Sequence, residues 1–213
     1  MKKFEQYSDQ IARLYPPEKA TTEDGQKILT QSITFQVTDD CNLACTYCYQ
    51  GHKGKNKMSF ETAKKFFDLV LSGDKGFKSY INPEKSPGLV VDFIGGEPLL
   101  EVELIDQICT YIMDTLIKLN HPWAMKTMFS ICSNGVLYRD EKVQAFLRKW
   151  AHRLSFSVTI DGNKELHDSC RIFPDGRPSY DLAVDAATDW MKRGYYMGSK
   201  ITIAPGNVMH LYE

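Results

Sequence analysis

The 213-residue chain reads as an α/β fold built round a parallel sheet. From residue 31 onward, short β-rich runs alternate with longer segments of helical period. Several of the runs are nearly continuous in Val, Ile and Phe, as strands covered on both faces should be. Each run stops at a polar or glycine-rich turn, giving the order βαβαβαβαβ.

Ahead of the sheet, Phe4, Tyr7, Ile11 and Leu14 predict one short helix, and Pro16, Pro17 and the polar stretch 18–26 a linker. About thirty residues cannot bury a core of their own, so residues 1–30 are a helix and linker and residues 31–213 the core domain. The strands are read at 32–37, 89–94, 127–132, 154–160 and 199–204. After the first strand, Phe60, Ala63, Phe66, Phe67, Val70 and Leu71 share one helical face, with Ser59 as N-cap and Gly73 as the stop. The lysine-, proline- and glycine-rich stretch 73–89 reads as a solvated loop. A second apolar stripe runs through Ile105, Ile108, Cys109, Ile112, Leu116 and Leu119, and a third through Val143, Phe146, Leu147 and Trp150. The fourth runs through Ala183, Ala186, Ala187 and Trp190, closed by Gly194.

Composition narrows the function classes. Twenty-six basic and 27 acidic residues nearly cancel, so no field of one sign favours nucleic acid or an anionic membrane as partner. The N-terminus lacks the apolar run of a secretory signal, and no stretch approaches membrane-spanning length, which predicts a cytoplasmic protein. Six cysteines are too few for a disulfide scaffold, and three lie within eight residues, a pattern of metal chemistry in a reducing compartment.

Those three, Cys41, Cys45 and Cys48, follow directly after the first strand, at the sheet end where α/β folds place ligands. A cubane of four irons normally takes four thiolates, so a loop supplying three leaves one iron open to another ligand. The competing reading is a closed Cys3His zinc site completed by His52, in a zinc-stabilised binding module. His52 otherwise belongs to a loop, 52–57, that reads as exposed and mobile.

The spacing C-x3-C-x2-C with Tyr47 before the last cysteine, written here CNLACTYC, resembles the signature of the radical S-adenosylmethionine superfamily. The resemblance implies a partial (β/α) barrel in which Cys41, Cys45 and Cys48 ligate a 4Fe-4S cluster. S-adenosylmethionine would chelate the open iron and Tyr47 lie against its adenine. The second strand ends in Gly95-Gly96-Glu97-Pro98, where two glycines allow close backbone approach to a ligand and Glu97 can accept from an ammonium. This quartet also matches the superfamily, in which it contacts the methionine amino group. Taken alone it would be a strand-to-helix turn with Pro98 near a helix start.

The third strand ends in Ser133-Asn134-Gly135 and the fourth in Thr159-Ile160-Asp161-Gly162. Both resemble elements of the branch containing sulfatase-maturating enzymes and SPASM-type peptide maturases, where they bind the ribose and carboxylate. Threonine stands at 159 where serine is more usual. The pair His167-Asp168, then Ser169, Cys170 and Arg171, continues that branch pattern; Arg171 could hold a carboxylate, whereas His167 and Asp168 read as local capping. Cys109 and Cys132 lie in apolar segments and read as core, leaving Cys170 as the spare thiol near the site.

The resemblance implies reductive cleavage of S-adenosylmethionine to a 5'-deoxyadenosyl radical, with an electron from an external donor such as flavodoxin or ferredoxin. A peptide or protein is the substrate it favours, with a small molecule as the alternative; the catalytic residues beyond the cofactors are unknown. The family's barrel has six strands and its maturase branch often a cysteine-rich extension, so the chain is expected to be truncated after its fifth strand. A missing C-terminal half or partner chain would then complete it, and the chain alone is expected to be weak or inactive on a peptide.

Overall fold

The computed structural model describes residues 30–51, 53–72, 74, 76, 81, 86–203 and 208. The short helix and linker expected before residue 30, His52, and Gly73 as a helix stop lie outside the described residues. Five strands form one sheet: β1 Gln31–Thr38, β2 Leu89–Gly95, β3 Thr127–Ser133, β4 Leu154–Thr159 and β5 Met197–Lys200. They lie side by side in chain order and every pair is parallel. Helices α1 (Phe60–Ser72), α2 (Val102–Lys118), α3 (Glu141–Trp150) and α5 (Tyr180–Lys192) make the crossovers, with a short α4 (Lys164–Cys170) preceding α5. No described helix is long and apolar enough to cross a membrane.

The helices form where the apolar periodicity places them, because one stripe of each seals the sheet. The Ser59 hydroxyl accepts from the amide of Thr62 at 3.1 Å and caps α1. Leu119, expected on the buried stripe of α2, is exposed: it is the C-cap, where the helix has ended and its side chain has turned from the core.

Burial alternates along the strands. Ile33, Phe35 and Val37, Leu89, Val91 and Phe93, Phe129 and Ile131, and Phe156 and Val158 are buried beneath the helices. One register row runs Phe35, Phe93, Ile131, Phe156, Met197 across all five strands. Each such side chain contributes about 1.5–3 kcal/mol. The opposite face carries Thr34, Asp92, Ser130 and Ser155 in one row, half-buried or exposed. The sheet is thus covered on one face only among the described residues. The continuous-looking runs mislead because small polar residues between the apolar ones suit a concave inner face.

The fifth strand is Met197–Lys200, two residues earlier at its start than expected, and 201–203 lie beyond it, while 204 is outside the described residues. Its ladder ends where β4 ends, Thr159 pairing with Lys200. The amide of Thr202 donates to the Asp161 side chain at 2.8 Å, and Ile201 and Ile203 are exposed. In the two stretches expected to be solvated, residues 74, 76 and 55–57 are exposed, but other described residues are buried or anchored. Ile81 and Ser86 are buried, and the Ser86 carbonyl accepts from the Trp123 indole at 3.0 Å. The segment after His52 is pinned to β1: Met58 donates to the Val37 carbonyl at 2.9 Å, and Lys57 bridges Thr38 and ion-pairs with Glu101.

Candidate cofactor site

The strand ends gather round a cavity of about 610 Å3. Cys41, Cys45 and Cys48 line it from the loop after β1, all three half-buried and free of disulfides. The loop is held by its backbone. Ala44 donates to the Ile172 carbonyl at 2.7 Å, Thr46 to the Cys170 carbonyl at 2.9 Å, and Cys41 to the Asp40 carboxylate at 2.8 Å. Leu43 is buried beneath it. Residues 170–172 therefore strap the cysteine loop in place. Cys170 takes part through its carbonyl, while its thiol is not among the groups lining the cavity.

Gly95 and Gly96 face this loop. A Cβ on Gly95 would stand 2.6 Å from the Thr38 carbonyl oxygen, and one on Gly96 2.3 Å from that of Asp40. The close approach that demands glycine is therefore between two strand ends, not only toward a ligand. It is tied by the amides of Gly96 to Thr38 and Glu97 to Asp40, at 3.0 and 2.8 Å.

Glu97 is buried, and its carboxylate accepts from the Ser133 hydroxyl and the Asn134 amide, both at 2.8 Å, and from the Leu99 amide at 3.1 Å. Burial pushes its pKa up, and these donors together with the Arg171 charge oppose that. The carboxylate joins β2 to β3 and retains acceptor capacity, since two oxygens offer about four lone pairs. Pro98 opens a short 3-10 turn and is buried away from the cavity; it positions Glu97 rather than lining the site.

Ser133, Asn134 and Thr159 line the far wall. Asn134 donates to Asn42 at 2.7 Å, tying the third strand end to the cysteine loop. Gly135 completes that turn at φ 82°, where a Cβ would meet Ala183 at 3.0 Å.

Tyr47 is held by its hydroxyl, which donates to Asp161 and accepts from Arg171 at 2.7 Å. Partial burial and the Asp161 bond push its pKa up to about 12. Arg171 is buried, stands 3.9 Å from Asp161, and lines the cavity. Asp168 accepts from the amides of Ser179 and Tyr180 at 3.0 and 2.9 Å, the local capping expected of it. His167, by contrast, is a core residue joining three elements.

Sequence reasoning missed Lys53, Cys132, Lys200 and Thr202, all on the cavity wall. Cys132, read as core, sits between buried Ile131 and Ser133 and so points to the inner face, 3.6 Å from the Thr159 hydroxyl. Strand alternation signals this; the apolar segment hid it. Lys53, read as solvated, has its ammonium nitrogen buried with no hydrogen-bond partner.

The cavity fits an anionic, metal-bearing guest. Burial raises the Cys41 and Cys45 thiols, while Lys53 beside both and Arg171 beside Cys45 favour their thiolates. The Lys53 ammonium and the Nε of Arg171 are both buried without partners. Three soft donors, two buried cationic side chains each with an unpaired N–H group and a carboxylate with spare capacity suit a thiolate-bound iron-sulfur cluster and an amino-acid ligand.

Comparison with known proteins agrees. The chain is 30% identical over 156 residues to an uncharacterized protein of Methanocaldococcus jannaschii, spanning 73% of this chain and 46% of that one. It is 31% identical over 150 residues to the serine-type anaerobic sulfatase-maturating enzyme of Bacteroides thetaiotaomicron, spanning 66% and 31%. The solved structure of anSMEcpe with bound AdoMet and a peptide superposes with a TM-score of 0.66 at 22% identity, covering 86% of this chain and 47% of that one. The chain thus spans less than half the length of these relatives. A sequence model of the Radical SAM superfamily matches residues 35–210. The chain therefore belongs to the radical S-adenosylmethionine superfamily, whose cofactors are a 4Fe-4S cluster and S-adenosylmethionine.

Proposed function

We propose that this chain is the cofactor-binding core of an enzyme that modifies a peptide or protein after translation. The observation that carries the reading is the meeting, in one cavity, of three thiols with the buried Lys53 ammonium and the buried, unpaired Nε of Arg171. Cys41, Cys45 and Cys48 would hold the cluster. Glu97 offers its spare acceptor capacity to the ammonium of S-adenosylmethionine, and Arg171 offers Nε to the carboxylate. Tyr47, Gly95, Gly96, Ser133, Asn134 and Thr159 enclose the rest of the cofactor, and Pro98 fixes the turn that presents Glu97. A cluster held by those three cysteines would supply one-electron chemistry, drawing on an external donor such as flavodoxin or ferredoxin, for reductive cleavage of S-adenosylmethionine to methionine and a 5'-deoxyadenosyl radical that would remove hydrogen from an unactivated C–H bond. The chain's own residues orient the cofactors and exclude water.

Support for a peptide substrate comes from the relatives' names and from the peptide in the anSMEcpe structure. Tyr49, Ile94 and Ile201, exposed at the cavity mouth, offer apolar contact to such a chain. The test is anaerobic co-expression with a candidate cysteine-containing peptide, followed by mass spectrometry. A peptide that has lost hydrogen is the expected product. Peptide returned unchanged by protein that does cleave S-adenosylmethionine, together with a modified small molecule from a metabolite extract, would favour the small-molecule reading instead.

A further inference from the structure

Lys53 is the one cavity-lining lysine whose ammonium is buried with no oxygen or nitrogen acceptor among the described residues, and the group it approaches is the Cys41 thiol. A buried charge without a partner is costly, so a protein keeps one where a guest of opposite sign completes it. Three observations identify the side from which that guest comes. Lys53 lines the cavity together with Cys41, Cys45 and Cys48. Its charge acts on the thiols of Cys41 and Cys45. The other cavity cation near the thiols, Arg171, already has anionic and polar neighbours in Asp161 and Tyr47. The segment that carries Lys53 is anchored to β1 by Asn56 and Met58, through Asp39 and Val37, so the ammonium is held rather than swinging in solvent.

We propose that Lys53 sets the reduction potential of the cluster on Cys41, Cys45 and Cys48, its ammonium stabilising the extra negative charge of the reduced state. The inference rests on the cluster assignment made above. Reduction adds one electron, supplied by the external donor or by dithionite in a titration, to a group already negative through its three thiolates. A positive charge held beside the thiols that would bind the cluster, in a partly buried site, favours that electron. Removing the charge makes the cluster harder to reduce.

The experiment is a redox titration followed by electron paramagnetic resonance on anaerobically reconstituted full chain, comparing wild type with Lys53→Met, Lys53→Gln and Lys53→Arg. S-adenosylmethionine binding is measured on the same samples. Lys53→Met and Lys53→Gln are expected to lower the equilibrium constant for reduction about tenfold, a shift of about 59 mV to more negative potential. Lys53→Arg should remain near wild type. Loss of iron from Lys53→Met that Lys53→Arg restores is the same charge requirement met at assembly, and supports the proposal. An unchanged potential in a fully loaded Lys53→Met overturns it. So does an unchanged potential with weakened S-adenosylmethionine binding, which would give Lys53 to the cofactor's carboxylate, or iron loss in Met and Arg variants alike, which would mark a packing role. Wild-type protein that takes up no cluster would refute the parent reading, a result distinguishable from all of these.

Discussion

Cys45 and Cys109 are both unpaired cysteines, and their surroundings give them opposite fates. Cys45 lines the cavity with the charges of Arg171 and Lys53 nearby. Cys109 is fully buried within α2, where burial holds its thiol well above the ordinary range. Cys45→Ala should therefore abolish cluster uptake, since two thiolates cannot hold a cubane against exchange. Cys109→Ala should keep full iron content at a cost of about 1 kcal/mol in stability. Iron analysis and visible absorbance after anaerobic reconstitution check both, and equal iron in the two variants would refute the ligand assignment. At this scale the sequence was informative where the chemistry is local. Three cysteines within eight residues speak for themselves, as does a Gly-Gly-Glu-Pro turn at a strand end. Lys53 was hidden among lysines and glycines, and its burial in the cavity wall depends on tertiary structure that its loop's own sequence does not carry. Glu97 was legible as an acceptor, but its bonds to Ser133 and Asn134 were not, because they join strand ends far apart in the chain.

Between β4 and α5 the chain carries α4, which the sequence presents as loop because only seven residues follow the Asn163 cap. Its His167 joins three elements. Nδ1 accepts from the Asp161 amide at 3.3 Å, and Nε2 lies 3.1 Å from the Ser179 hydroxyl, which donates to the Arg171 carbonyl at 2.6 Å. These roles require the neutral ring with its proton on Nε2. Burial, and then the Arg171 charge, lower its pKa from 6.5 to about 4. An unfolded chain therefore binds a proton near pH 6.5 that the folded chain refuses until about pH 4. The contribution is complete above pH 6.5 and is lost as pH falls toward 4, a loss on the order of 3 kcal/mol. Urea unfolding at pH 7.5 and pH 4.5 should show wild type losing more stability than His167→Gln, which cannot titrate; equal losses would contradict the neutral assignment. Strand and helix positions were otherwise legible from periodicity. The end of β5 was not, because it depends on where its partner β4 stops.

Among the described residues the molecule is a parallel sheet covered by helices on one face, and the loops at its strand ends bring Cys41, Cys45 and Cys48, the buried Glu97 carboxylate, Lys53 and Arg171 to one cavity. Sequential parallel order was readable from the alternation of runs. One-sided burial was not, since β-rich runs look alike whether one face or both are covered. We propose above that this cavity holds a cluster able to cleave S-adenosylmethionine. That proposal is tested most directly by reconstituting the 213-residue chain without oxygen, counting iron, and assaying 5'-deoxyadenosine after reduction with dithionite. The account predicts about four irons per chain and 5'-deoxyadenosine that depends on both reductant and S-adenosylmethionine; protein that binds zinc in place of iron, or a full cluster that releases no 5'-deoxyadenosine, would contradict it.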